Sequence, residues 1–113
     1  MGLFTVGDIV IIPFPYSDMS KSKLRPALIV GEIDKKDYIM LQITSKSYDD
    51  KQSIIISKND LSSGNLNFDS YVKYSKIFTG SDTLVVKVIG TLRPKKVNEI
   101  ISLLVELLER NKK

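Results

Sequence analysis

The chain has 113 residues, with 17 Lys plus Arg against 13 Asp plus Glu, no cysteine and no histidine. That length suits one domain, residues 1–113, with a single core. The missing residue types exclude a disulfide framework, thiolate chemistry, the usual general base and the commonest transition-metal ligand. The net charge of +4 is a mild bias towards polyanions, and no apolar run approaches the roughly 20 residues of a membrane span.

In chain order, "MGLFTV" carries no signal-peptide pattern, which with the missing cysteines fits a cytoplasmic protein. "GDIVIIPF" offers a turn at Gly7-Asp8 and a strand over Ile9 to Ile12, closed by Pro13 and Pro15. "PFPYSDMSKSKLRP" reads as a loop of about a dozen residues, long enough to suspect a function. "ALIV" is a short apolar run, as in a strand buried on both faces. "YIMLQITS" alternates, placing Ile39, Leu41 and Ile43 on a core face and Tyr38, Met40, Gln42 and Thr44 on the other. "SIIIS" is a further strand, "NDLSSGNL" is turn chemistry, and "DSYVKYSKIF" and "LVVKVIGTL" supply two more strands. In the closing segment Val97, Ile100, Ile101, Leu104, Leu107 and Leu108 recur at helical spacing, and Pro94 suits the first turn. Many short strands without βα alternation indicate a mainly β fold, a small antiparallel barrel or curled sheet, followed by one helix.

Two residues stand out chemically. Arg25 is the last charge before the apolar run, and Pro26 pushes it into extended geometry, fixing where its guanidinium points. A planar donor fork suits a phosphate; the plainer alternative is a surface cation whose stem covers apolar atoms. Thr44 directs its hydroxyl away from the Ile39/Leu41/Ile43 stripe, or it simply ends a strand, while Ser45 would turn inwards if the strand ran on. Around them lies a basic and aromatic mixture: Phe14, Tyr16, Lys21 and Lys23 in the first loop, then Tyr71, Lys73 and Ser75 on one strand face. Aromatic rings stacking on splayed bases, with cations along the backbone, hold single-stranded RNA; the same rings also pack in barrel walls. The dispersed glycines form no phosphate loop, and the acids, without His or Cys, make a weak case for a metal site.

The stretches "GDIVIIPFPYSD", "KLRPALIV", "QITSK", "DSYVKYSKIF" and "VIGTL" occur in the order typical of the PemK/MazF-like toxins of type II toxin–antitoxin systems, and from about residue 4 to the final helix the chain resembles that family. The resemblance implies an SH3-like barrel with a C-terminal helix, usually a homodimer. It implies an endoribonuclease that cuts single-stranded RNA, chiefly mRNA, with no metal or other cofactor. By similarity Arg25 and Thr44 are the residues at the scissile phosphate, and Ser45 lies beside them. Ser75 stands where some relatives carry an Asp, which leaves the acid–base assignment open. A cognate acidic antitoxin is the implied protein partner, with DNA reached only through the antitoxin complex and no membrane involved. The alternatives are a barrel that binds RNA or protein without cutting and, further off, a gyrase poison resembling CcdB. That last class relies on a tryptophan-containing tail, whereas this chain has no Trp and ends "ERNKK".

Overall fold

The computed structural model describes residues 2–15, 22–46 and 51–113, leaving aside the side chains of residues 15 and 22. Among them seven strands form one sheet: β1 (Asp8–Pro15), β2 (Ser22–Glu32), β3 (Asp37–Thr44), β4 (Ser53–Ile56), β5 (Leu61–Gly64), β6 (Ser70–Ser81) and β7 (Lys87–Leu92), followed by the helix α1 (Pro94–Glu109). The sheet order is β4-β6-β3-β2-β1-β7-β5 and every pairing is antiparallel. The sheet curls into a half-barrel, so the expected mainly β architecture with a C-terminal helix is the one observed. No helix among the described residues is long and apolar enough to cross a membrane.

Both faces of the sheet are buried, which is why the central strands read as near-continuous apolar runs. On one face Ile9, Leu28, Leu41, Ile43, Val72 and Leu92 form the larger core, onto which the helix lays Val97, Ile100 and Leu104. Pro94 occupies the first helical turn, where its missing N–H costs no bond. On the other face Val10, Ile12, Ala27, Ile29, Tyr38 and Met40 form a second core, flanked by Phe4, Phe14, Phe78 and Val85. Period-2 alternation sends neighbours of one strand to opposite cores. Tyr38 and Met40, read from the sequence as the non-core face of β3, are therefore fully buried, and Ile39 is only half-buried.

Two local readings are corrected. The first loop is shorter than expected, because the β1–β2 ladder runs on through Pro13↔Leu24 and Phe14↔Lys23 to Pro15↔Ser22. β1 pairs with β7 only as far as Ile11, so Pro13 and Pro15 lie where the strand has a single neighbour and prolines are tolerated. The "LSSG" of the supposed turn is the edge strand β5, paired with β7. Gly64 takes a left-handed φ of 85° there, and a Cβ on it would collide with the Gly90 backbone, so glycine is what lets β5 close on β7.

Candidate active site

The site grows from a place where the sheet stops pairing. β2 and β3 are bonded as far as Ala27↔Gln42. The next residue of β2 is Pro26, which has no N–H to contribute to a ladder. Continuing the same register by two residues brings Arg25 level with Thr44, and the space between the parted strand ends is a cleft of about 370 Å³. Arg25, Thr44, Ser45 and Lys23 line it, together with Lys46 and with Leu66, Asn67, Phe68 and Ser70 from the turn that the curl of the sheet carries across.

Arg25 is held by the β1 side: it faces Ile12, whose side chain is buried in the second core. Its side chain is half-buried and, among the described residues, has no hydrogen-bond or ion-pair partner. By contrast, Arg93 donates to the Asn59 carbonyl at 3.2 Å and Lys96 lies 3.5 Å from Glu99. The Arg25 fork thus keeps its donors for a ligand. Thr44 is 8% exposed, and its Oγ1 accepts a hydrogen bond from the Lys46 N–H at 3.2 Å. That contact fixes the rotamer and leaves the hydroxyl proton to donate. Among the described residues no carboxylate lines the cleft, whereas Lys23, Arg25 and Lys46 do. A held hydroxyl, a planar cation and two lysines give the cleft donors and positive charge of the kind an anion takes.

The remaining candidates divide. Ser45 and Lys23 are exposed on the cleft. Ser45 does not turn inwards, because β3 ends at Thr44. Tyr71 lies directly opposite Thr44 across the β3–β6 ladder, half-buried and beside the site rather than lining it. Lys73 is half-buried opposite Gln42, two pairs further from the cleft mouth. The register then jumps from Gln42↔Lys73 to Leu41↔Ile77, and Ser75 lies exposed in that irregularity, away from the cleft. Phe14 is not brought to it either: its ring meets Phe78 edge to face, 5.1 Å between centroids, against the second core. Tyr16 and Lys21 lie outside the described residues. The structure adds Lys46, Asn67, Phe68 and Ser70, which the sequence reading did not select. Phe68 had one visible signal, as a lone aromatic in the polar run "SSGNLNFDS". No group of three or more His, Cys, Asp or Glu able to hold a metal occurs among the described residues.

Fold and cleft together define a small antiparallel β protein with an anion-seeking groove at a strand end. Residues 5–108 match the family model for PemK-like, MazF-like toxins of type II toxin–antitoxin systems, and the chain belongs to that family. Among solved structures it is similar to an endoribonuclease in complex with its cognate antitoxin from a mycobacterial species, with 17% identity, a TM-score of 0.71, and 95% of this chain and 96% of that one covered. An endoribonuclease from mycobacterial species gives 18% identity and a TM-score of 0.71 over 96% of this chain and 94% of that one. The Mycobacterium tuberculosis toxin MazF-mt6 gives 15% identity and a TM-score of 0.65 over 88% and 96%. At these identities the likeness is one of fold. No curated protein matches the chain.

Proposed function

We propose that this toxin is an endoribonuclease that cuts single-stranded RNA, mRNA above all, at the Arg25–Thr44 cleft. The observation that carries the reading is the pairing of a guanidinium that has no partner among the described residues with a held hydroxyl in one groove of a PemK/MazF-like chain. The 2′-oxygen of the substrate attacks the adjacent phosphorus and the bond to the 5′-oxygen breaks. The proton lost by the 2′-hydroxyl is balanced by one gained at the departing oxygen. The products are a 2′,3′-cyclic phosphate and a 5′-hydroxyl, and no water is consumed. Arg25 gives parallel hydrogen bonds to the phosphoryl oxygens as their charge grows, and Thr44 orients the phosphate or the 2′-hydroxyl. The reaction runs without a metal.

The whole of residues 1–113 acts as one toxin domain, working in the cytoplasm as a homodimer. Its exposed Val86, Val88 and Leu84 supply apolar surface for a second copy. An acidic antitoxin segment covers the basic cleft and blocks RNA, and DNA is reached only through that complex.

The test is incubation with end-labelled single-stranded RNA in EDTA. Fragments ending in 2′,3′-cyclic phosphate and 5′-hydroxyl are expected. RNA bound but uncut would make the chain a silent binder, and 5′-phosphate ends or a magnesium requirement would overturn the chemistry.

A further inference from the structure

Phe68 is 73% exposed, yet it lines the cleft that holds Arg25 and Thr44. Other aromatic rings are engaged inside the fold. Phe4 packs on Tyr38, Phe14 packs on Phe78, and buried Tyr74 donates its hydroxyl to the Lys51 carbonyl. The backbone beneath Phe68 is not loose. Asn65 N–H donates to the Ile89 carbonyl at 3.0 Å, Leu66 packs against the larger core, and buried Ser70 donates its hydroxyl to the Phe68 carbonyl at 3.1 Å. A turn anchored at both ends therefore presents a flat apolar ring to water beside three cations.

A single exposed apolar side chain is ordinary. One set by a fixed backbone in a cationic cleft is a different case, because a nucleobase offers a flat face on one side and a phosphate on the other. We propose that Phe68 is a stacking platform for a base adjoining the scissile phosphate. This rests on the reading of the cleft as an RNA-cutting site. Stacking takes any base by its face, so Phe68 governs how tightly the strand is held and where its phosphate lies relative to Arg25. It does not choose the base. Phe68 is thus a positioning residue, and its loss acts on KM before kcat.

The chain contains no tryptophan, so Phe68→Trp introduces a single indole reporter. The probe is a fluorescein-labelled, mixed-sequence RNA of about 12 nucleotides with 2′-O-methyl riboses, which lacks the attacking hydroxyl and is held uncut. Indole quenching that tracks the anisotropy titration is expected for Phe68→Trp. Phe68→Ala should weaken binding about 5- to 150-fold, the span that one stacked base is worth. Phe68→Tyr should keep it. With unmodified RNA, Phe68→Ala should raise KM by a larger factor than it lowers kcat. If the wild type binds and cuts RNA while Phe68→Ala binds within about twofold of it, the platform is overturned and the RNA-cutting reading stands. If the wild type neither binds nor cuts, both fall. If Phe68→Ala converts a sedimenting dimer to monomer with RNA affinity unchanged, the ring belongs to a contact between copies, and the platform is overturned again.

Discussion

The β2–β3 pair has two ends that solve opposite problems. At the closed end the strands stay bonded to Glu32↔Tyr38 and turn through residues 33–36. Asp34 satisfies that turn, its Oδ1 accepting the Lys36 and Asp37 N–H groups, both at 2.8 Å. At the open end the ladder stops at Ala27↔Gln42, Pro26 contributes no N–H, and the strands part around Arg25 and Thr44. Polar groups at the closed end are bound to the protein itself. At the open end the Arg25 guanidinium has no partner among the described residues, while Thr44 Oγ1 accepts from Lys46 N–H. A fold this small places a site by withholding a few backbone bonds where a proline makes withholding them inexpensive.

The strongest way to break this contrast is at the open end. Arg25→Lys keeps the charge and removes the fork. Loss of one preorganised donor costs about 2.7–4 kcal/mol in the transition state, a roughly 100- to 1,000-fold fall in single-turnover RNA cleavage. The half-buried side chain has no partner among the described residues, so thermal unfolding should hardly move. A fully active Arg25→Lys protein defeats the clamp.

Thr44→Val comes second. It keeps the β-branched shape and loses the hydroxyl that Lys46 N–H holds. A hydrogen bond to a charged group is worth about 1.5–3 kcal/mol, so cleavage should fall roughly 10- to 150-fold, with Thr44→Ser retaining most of it. Equal rates for Thr44→Val and Thr44→Ser would show that the hydroxyl plays no part.

How much of this contrast is visible in the sequence depends on how local its cause is. The alternation in "YIMLQITS", the apolar "ALIV" and the helical spacing from Val97 to Leu104 are set by neighbours in sequence, and the strands and helix follow them. Arg25 is legible for the same reason, since Pro26 acts on the adjacent residue. β5 was not, because "LSSG" has turn composition and is a strand only through its pairing with β7. The choice between Phe14 and Phe68 was not legible either. Both are lone aromatics near turn residues, and the difference is made by Phe78 covering one ring while the curl of the sheet carries the other to the cleft. The β3 face was misjudged because a curled sheet with cores on both sides removes the polar partner that alternation normally reveals.

Pro26→Ala sharpens the comparison at its hinge. The variant regains an N–H and frees Arg25 from the restriction a following proline imposes. Stability should fall by about 0.4–1 kcal/mol through the more flexible unfolded chain. Cleavage should fall by less than for either side-chain change, because the guanidinium is present but less well aimed. Hydrogen exchange should show new protection at residue 26 if the ladder then extends towards Ile43. Unchanged cleavage together with such protection would mean that the parting of the strands is not what positions Arg25.

Asp34→Asn has the smallest expected effect and tests the closed end alone. The two backbone N–H groups of the turn hold the Asp34 carboxyl below the ordinary aspartate value, with Lys36 adding a weaker attraction, although the group is fully exposed. A depressed folded pKa means that the ionised form is favoured by folding. Its contribution is therefore complete above the ordinary value of about 3.9 and disappears as pH falls through the lower folded value. Asparagine still accepts from both N–H groups but has no charge to lose. The wild type should thus hold a small advantage in unfolding temperature at about pH 6, and that advantage should shrink towards nothing at about pH 3. RNA cleavage near neutrality should be the same in both proteins, because the turn and the cleft lie at opposite ends of the β2–β3 pair. A difference between the two proteins that is identical at both pH values would show that the carboxylate charge does not hold this turn. A drop in cleavage would show that the two ends are coupled through the strands.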